Sequence, residues 1–434
     1  MPSTLEAVPT TVRCTRCGAE FPAQTEKCPS CGRVATSHST RLTIIITLLL
    51  IFAGLGFTQY FVNLHRATEY SLAHRWSFRG GEAMQAHLPS VAADDYRTAL
   101  SYDPENREYR LLLAQALLAG NRLNEARAHL TSLWEQEPAN GEVNLTLARL
   151  YAKRGDFHNA TRFYNNAING IWKDDPRKDR IAVRFELADY LMQQHNMTQA
   201  QSELMALLAD GPSDRDDQLR LAQMLLEANE PERVVQVDNE VLSNDHGNAE
   251  AWLQKGQALV TLGRYKDAER ALATAEQHNP KVGDVAGQLE LVREVLRVDP
   301  SLRGLSRSER AERAVNAFHT AWEHLNSCAT QAGMKLNTGS AAIPVVTPGT
   351  SPKSLPTPTM PATSPDPVQL LYSSGLAKHE TVTEQALRDN PDAIDSTMQY
   401  VFEVERVLAP VCPNMSVNDQ ALLMLGQHES ETLK

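Results

Sequence analysis

The apolar positions of this chain follow two patterns, one after the other. From Leu42 to Val62 they form a run without a charged residue. From about residue 73 they are spaced instead, recurring three or four positions apart between polar residues, the period of helices that bury one face. The first pattern predicts a membrane span. Its 21 residues make a helix of about 31 Å, close to the thickness of a bilayer's hydrocarbon core. Only Thr43, Thr47, Thr58 and Gln59 are clearly polar, and Tyr60 and Phe61 stand where an interfacial aromatic belt belongs. The run is too long for a cleaved leader and no small-residue cleavage site follows, so it reads as a permanent single anchor. Gly54, Gly56 and Thr58 would allow helix pairing, and with it a homo-oligomer.

The second pattern repeats every 34 residues, most clearly over residues 249–282. There Trp252, Gly256, Leu259, Gly263, Ala268, Leu272, Ala275 and Pro280 fall at positions 4, 8, 11, 15, 20, 24, 27 and 32. Small residues at 8, 20 and 27 let two antiparallel helices approach. Large ones at 4, 7, 11 and 24 fill the space between them, and proline ends the second helix. The same register fits residues 73–106, 107–140, 141–174 and, after an insertion around Asp174–Asp179, 181–214. It fits 215–248 less well, because Val234 replaces a small residue and Asp238 a large apolar one. A capping helix is expected near Asp284–Leu296. The pattern closely resembles the tetratricopeptide repeat. It implies an all-α helical solenoid of about six repeats over residues 73–297, and a protein that binds other proteins.

In that family positions 5 and 9 of the first helix usually face a concave groove. Carried over, position 5 gives an apolar stripe of Leu111, Leu145, Phe185, Leu219 and Leu253. Position 9 gives Gln115, Arg149, Asp189, Gln223 and Gln257, and position 2 a mostly acidic margin of Glu108, Glu142, Ala182, Asp216 and Glu250. Such a groove suits a peptide with apolar side chains and some positive charge, unless position 5 is spent on packing between helices. The lysine and asparagine clamp of chaperone-docking members is absent.

Ahead of the span stand Cys14-x-x-Cys17 and Cys28-x-x-Cys31, each pair followed by glycine, at Gly18 and Gly32. Each turn aims two sulfurs the same way, and two such turns make a closed tetrahedral set. The segment resembles a zinc ribbon of the kind that opens many bacterial membrane proteins. Zn2+ held by four cysteines is structural, with no open position for catalysis. Two disulfides are the alternative. Zinc thiolates suit a reducing compartment, and Lys27, Arg33 and Arg41 flank the span on that side against Arg66 and Arg75 on the other. Both point to an inner-membrane protein with a cytoplasmic N-terminus and its repeats outside.

Beyond the repeats, Ser306 and Glu309 form a capping box for a helix over 304–335 whose face carries Ala311, Ala314, Phe318, Trp322, Leu325 and Cys328. Residues 336–368 form a linker, with eight prolines between Asn337 and Pro367. Helices around Ile394–Leu408 and Asn418–Leu425 are expected to pack back on 304–335. Cys328 and Cys412 flank the linker and would either pair, if the body lies outside, or stay as buried thiols, the commoner state.

Charge narrows the function further. The chain has 434 residues and a net charge of −11, and the part up to Arg41 is +2, leaving −13 beyond it. Such an acidic body makes a poor nucleic-acid binder. No H-E-x-x-H, G-x-S-x-G, P-loop or G-x-G-x-x-G occurs, and the thirteen histidines are scattered singly. His319 and His324 share a helix but face different ways. An enzyme is not expected. The leading reading is a membrane-anchored scaffold with a structural ribbon. The second is a transmembrane regulator whose ribbon, with Arg13, Arg16, Lys27 and Arg33, contacts a cytoplasmic protein or nucleic acid.

Overall fold

The computed structural model describes residues 11–34, 38–334 and 366–432. Almost all of the proline-rich stretch lies outside the described residues. The chain forms two compact units, residues 1–172 and 173–434.

The first unit opens with a short antiparallel hairpin, β1 (Thr11–Arg13) on β2 (Glu20–Pro22), with Val12 opposite Phe21. Six helices follow: α1 (His38–Gln85), α2 (Pro89–Tyr102), α3 (Arg107–Ala119), α4 (Leu123–Gln136), α5 (Gly141–Lys153) and α6 (Phe157–Ile168). Anchor and first repeat are separate segments in the sequence pattern, but α1 runs unbroken through both. Its 48 residues reach about 72 Å. The large apolar side chains from Leu42 to Val62 are exposed, and Ala73 is the first fully buried residue. From there α1 packs on α2. Gly80 lies so close to Tyr96 that a Cβ would stand 2.8 Å from the ring, and Arg79 Nε donates to Asp95 Oδ2 at 2.9 Å.

The second unit continues the paired pattern with α7 (Pro176–Gln193), α8 (Met197–Asp210), α9 (Arg215–Glu227), α10 (Pro231–Asn244), α11 (Ala249–Thr261) and α12 (Tyr265–His278). The 34-residue register has a backbone signature. Position 15, the turn inside each pair, is left-handed at His87, Asn121, Gly155, His195, Asn229 and Gly263, with φ between 57° and 71°. Position 20 is sealed in every pair, at Ala92, Ala126, Ala160, Ala200, Val234 and Ala268. Asx side chains start the first helices: Asn106, Asn140 and Asn248 accept from the backbone N–H of Tyr109, Val143 and Ala251.

α13 (Val285–Val298) packs on α12, and α14 (Arg307–Gln331) starts at the Ser306–Glu309 capping box, both reciprocal bonds being present. After the undescribed residues come α15 (Pro367–His379), α16 (Glu384–Asp389), α17 (Asp392–Leu408) and α18 (Val417–Thr432). Their core joins Phe318 and Leu325 of α14 to Val401, Val404 and Leu408 of α17 and Leu422 of α18. α18 also does something the apolar pattern did not suggest. Its Ala421 and Leu425 cover Leu289 and Val292 of α13, and Tyr265 Oη donates to the Met424 carbonyl at 3.4 Å. The C-terminal helix thus covers apolar surface on the last repeat and its cap.

Candidate functional site

The hairpin and a matching turn bring the four N-terminal cysteines together. Gly18 and Gly32 have φ of 74° and 70°, a backbone that other residues adopt only at a cost. Their N–H groups donate to the carbonyls of Cys14 and Cys28, each at 2.9 Å. Phe21 packs beneath, against Cys14 and Cys28. Cys14 and Cys31 sulfurs are 3.4 Å apart, those of Cys17 and Cys28 3.5 Å, and all four lie within 4.8 Å. A tetrahedral ion with 2.3 Å bonds sets its sulfurs roughly 3.8 Å apart, so the set fits a metal.

The thiols also constrain one another. The backbone N–H groups of Arg16 and Cys17 lower Cys14 to about 6. At Cys17 the N–H of Ala19 acts the same way, but the sulfurs of Cys14, Cys28 and Cys31 outweigh it and push the thiol up to about 12. Four sulfurs this close cannot all ionise without a cation to hold them.

The repeat surface differs from the expected groove in one respect. Leu111, Leu145, Phe185, Leu219 and Leu253 are all buried. Three of them are placed between helices: Phe185 packs with Leu204 and Leu221, Leu219 with Val241 and Ala251, and Leu253 with Leu272 and Val285. Position 5 therefore offers no open apolar stripe. The position 9 side chains do reach the surface. Gln115 donates to Glu142 Oε1 of the next pair at 3.1 Å, and Gln223 to Glu227 Oε1 at 2.9 Å. Asp189 is paired with Arg220, whose guanidinium lies 4.7 Å over the Phe185 ring. Arg149 is exposed, Gln257 half-buried, and Glu108, Glu142, Asp216 and Glu250 are exposed along the margin. In both units this face is polar and leans acidic.

Two further features of the second unit escaped the sequence pattern. A cleft of about 810 Å³ opens where α12, the α13–α14 turn, α17 and α18 meet, with Arg264, Arg303, Arg310, Asp299, Asp395 and Glu429 in its lining. Its charges are mixed and its walls come from segments far apart in sequence, so no local motif marks it. His324 of α14 also meets two carboxylates, Glu405 of α17 and Asp419 of α18. Cys328 and Cys412 are joined in a disulfide, with Cα atoms 5.9 Å apart. The commoner state, two free thiols, does not hold.

Family models described as tetratricopeptide repeat match residues 83–133 and 121–170, and another so described matches 249–281. The helical pairs within residues 83–170 and 249–281 are tetratricopeptide repeats. Solved structures with similar helical pairs include YrrB, "a TPR protein with an unusual peptide-binding site", at 15% identity and a TM-score of 0.35, covering 45% of this chain and 96% of that one. A tetratricopeptide repeat protein from Parabacteroides merdae is 13% identical, with a TM-score of 0.34 and coverage of 56% and 91%. PilW, described as a type IV pilus biogenesis factor, is 16% identical, with a TM-score of 0.37 and coverage of 51% and 98%. No curated protein sequence matches this chain.

Proposed function

We propose that this chain is a membrane-anchored scaffold whose tetratricopeptide repeats hold a basic, extended protein segment. The observation that carries this reading is the repeat surface. With position 5 packed away, the first helices present amides and acids, half-buried Gln115 and exposed Glu142 in the first unit and exposed Asp216, Gln223, Glu227 and Glu250 in the second, alongside exposed Arg149 and Arg220. Amides satisfy a peptide backbone, and carboxylates attract lysine and arginine.

The anchor is the stretch Leu42–Val62, the apolar part of the one described helix long and apolar enough to cross a membrane. Zn2+ in the ribbon and a cytoplasmic N-terminus complete the reading. Cysteines before the span are grouped as metal ligands, whereas those after it form a disulfide, and the two chemistries belong to opposite redox compartments.

The test is a binding titration of the full chain in detergent against two fluorescent peptides of equal length. One alternates apolar residues with lysine, the other with glutamate. The lysine peptide should bind at least tenfold tighter, and Glu142→Lys with Glu250→Lys should erase the preference. Equal affinity for both peptides would sink the proposed specificity. Protease treatment of intact spheroplasts tests the topology: a C-terminally tagged body should be digested, and its survival would place the repeats inside.

A further inference from the structure

His324, Glu405 and Asp419 reach one point from three helices. His324 Nδ1 lies 2.7 Å from Glu405 Oε2 and 3.9 Å from Asp419 Oδ1. One donor atom from each lies within 4.8 Å of the others. The three side chains are 8%, 0% and 10% exposed, so the cluster is removed from solvent.

As a set of hydrogen-bonding groups the cluster is incomplete. Glu405 Oε1 is buried with no partner, and so is His324 Nε2. Its charge does not balance either. With both carboxylates ionised, one imidazolium would leave a net −1 in a dry interior, an arrangement that is costly to bury. A divalent cation with a neutral imidazole leaves none. It would also occupy the orphaned Oε1, because a chelating Glu405 supplies two oxygens, making four donors with His324 Nδ1 and Asp419 Oδ1. Bonds of 2.0–2.2 Å put neighbouring donors roughly 3–3.6 Å apart. The present separations lie on either side of that range, so small side-chain shifts would close the shell.

Asp419 is already oriented for this. Its Oδ2 accepts from the Ser416 backbone N–H at 2.9 Å and the Ser416 hydroxyl at 2.7 Å. That holds the carboxylate in place and leaves Oδ1 facing His324, as outer-shell partners fix a metal ligand. One imidazole with carboxylate oxygens suits borderline first-row divalent ions rather than soft or purely oxygen-seeking ones.

We propose that His324, Glu405 and Asp419 form a second metal site, taking a structural divalent transition ion of the Zn2+ type that ties α18 to α14 and α17. The position gives the ion a consequence. α18 is the helix that covers Leu289 and Val292 of α13, so metal at its root secures the cover over the end of the repeats. Cys328 stands one turn beyond His324 on α14 and bonds to Cys412, so ion and disulfide clamp the same junction.

The experiment measures zinc per chain by mass spectrometry after chelation, Zn2+ reloading and dialysis of the full chain in detergent. Wild type should retain two equivalents. The quadruple variant Cys14→Ser, Cys17→Ser, Cys28→Ser, Cys31→Ser should retain one, and so should Glu405→Gln or Asp419→Asn. In the quadruple variant, chelation should lower the Tm of the repeat body and Zn2+ should restore it. A quadruple variant that holds no zinc, or a folded Glu405→Gln chain that still holds two, overturns the site. Should Glu405→Gln fail to fold, the quadruple variant alone decides. A wild-type count of one that survives loss of the four cysteines would support this site and refute the zinc ribbon instead.

Discussion

Asp238 occupies position 24 of the fifth repeat, where the others place Tyr96, Leu130, Tyr164, Leu204 and Leu272. It is fully buried and neither carboxylate oxygen has a partner. Lys255, the cation that acts on it, donates to Asn239 instead, at 2.7 Å. Burial lifts Asp238 from 3.8 to about 8, with Lys255 pulling weakly the other way. Because the folded value exceeds the unfolded one, the folded chain holds the extra proton between about pH 4 and pH 8. This contribution to stability is therefore lost as pH rises through that window. Asp238→Asn removes the titration at nearly constant volume. Its Tm relative to wild type should rise between pH 5 and pH 8.5, the charged carboxylate costing on the order of 4 kcal/mol at the upper end. Parallel Tm shifts at both pH values would show that the carboxyl is not buried as described. The 34-residue register marked Asp238 as a misfit, but not its isolation, because only tertiary packing shows where Lys255 goes. The same gap explains position 5, which looks identical on a helical wheel whether it faces a groove or a neighbouring helix. His324 carried no signal at all, since its two carboxylates come from other helices.

Helices and turns were more legible, because their causes are local. Small residues at 20, the prolines and the capping box at Ser306 all act within a few positions of themselves. The left-handed turn at position 15 was visible only at Gly155 and Gly263; His87, Asn121, His195 and Asn229 adopt it without glycine's signature. The unbroken α1 was hidden for a different reason: composition changes at residue 62, and helicity does not. This continuity gives Gly80 mechanical weight, since it lets the anchor helix lie against Tyr96. Gly80→Val would gain a few tenths of a kcal/mol in helix propensity but overpack against a rigid ring, at a cost of about 1–3 kcal/mol. Thermal unfolding of the full chain should show the net loss, and an unchanged Tm would mean that the contact is loose. The ribbon is the other self-contained element. Its twenty or so residues have little core besides Phe21, and under the proposed reading a metal holds them. Chelation should make Cys14, Cys17, Cys28 and Cys31 reactive to a thiol reagent while the helical circular dichroism stays within a few per cent. Four thiols reactive before chelation would exclude a bound metal.

At the scale of the whole molecule, the two groups of cysteines ask for opposite conditions. Thiolates that hold a metal are lost to an oxidant, which converts them to disulfides. The Cys328–Cys412 bond is lost to a reductant, and it closes a loop of 84 residues. Constraining a loop that long stabilises a fold by about 2–5 kcal/mol, and here it anchors the packing of α17 on α14. Purified chain in detergent should therefore respond in two separate ways. A strong dithiol should lower the Tm of the repeat body by several degrees and leave the ribbon's metal in place. A thiol oxidant should release that metal and leave the Tm of the body unchanged. If both hold, no single redox environment suits the whole chain, and the apolar run between the two cysteine groups has to separate two compartments. If the dithiol leaves the body unmoved, the disulfide carries no stability. The case for an oxidising outside then rests on the weak charge asymmetry around the span alone, and the side of the repeats is the one where protease reaches them.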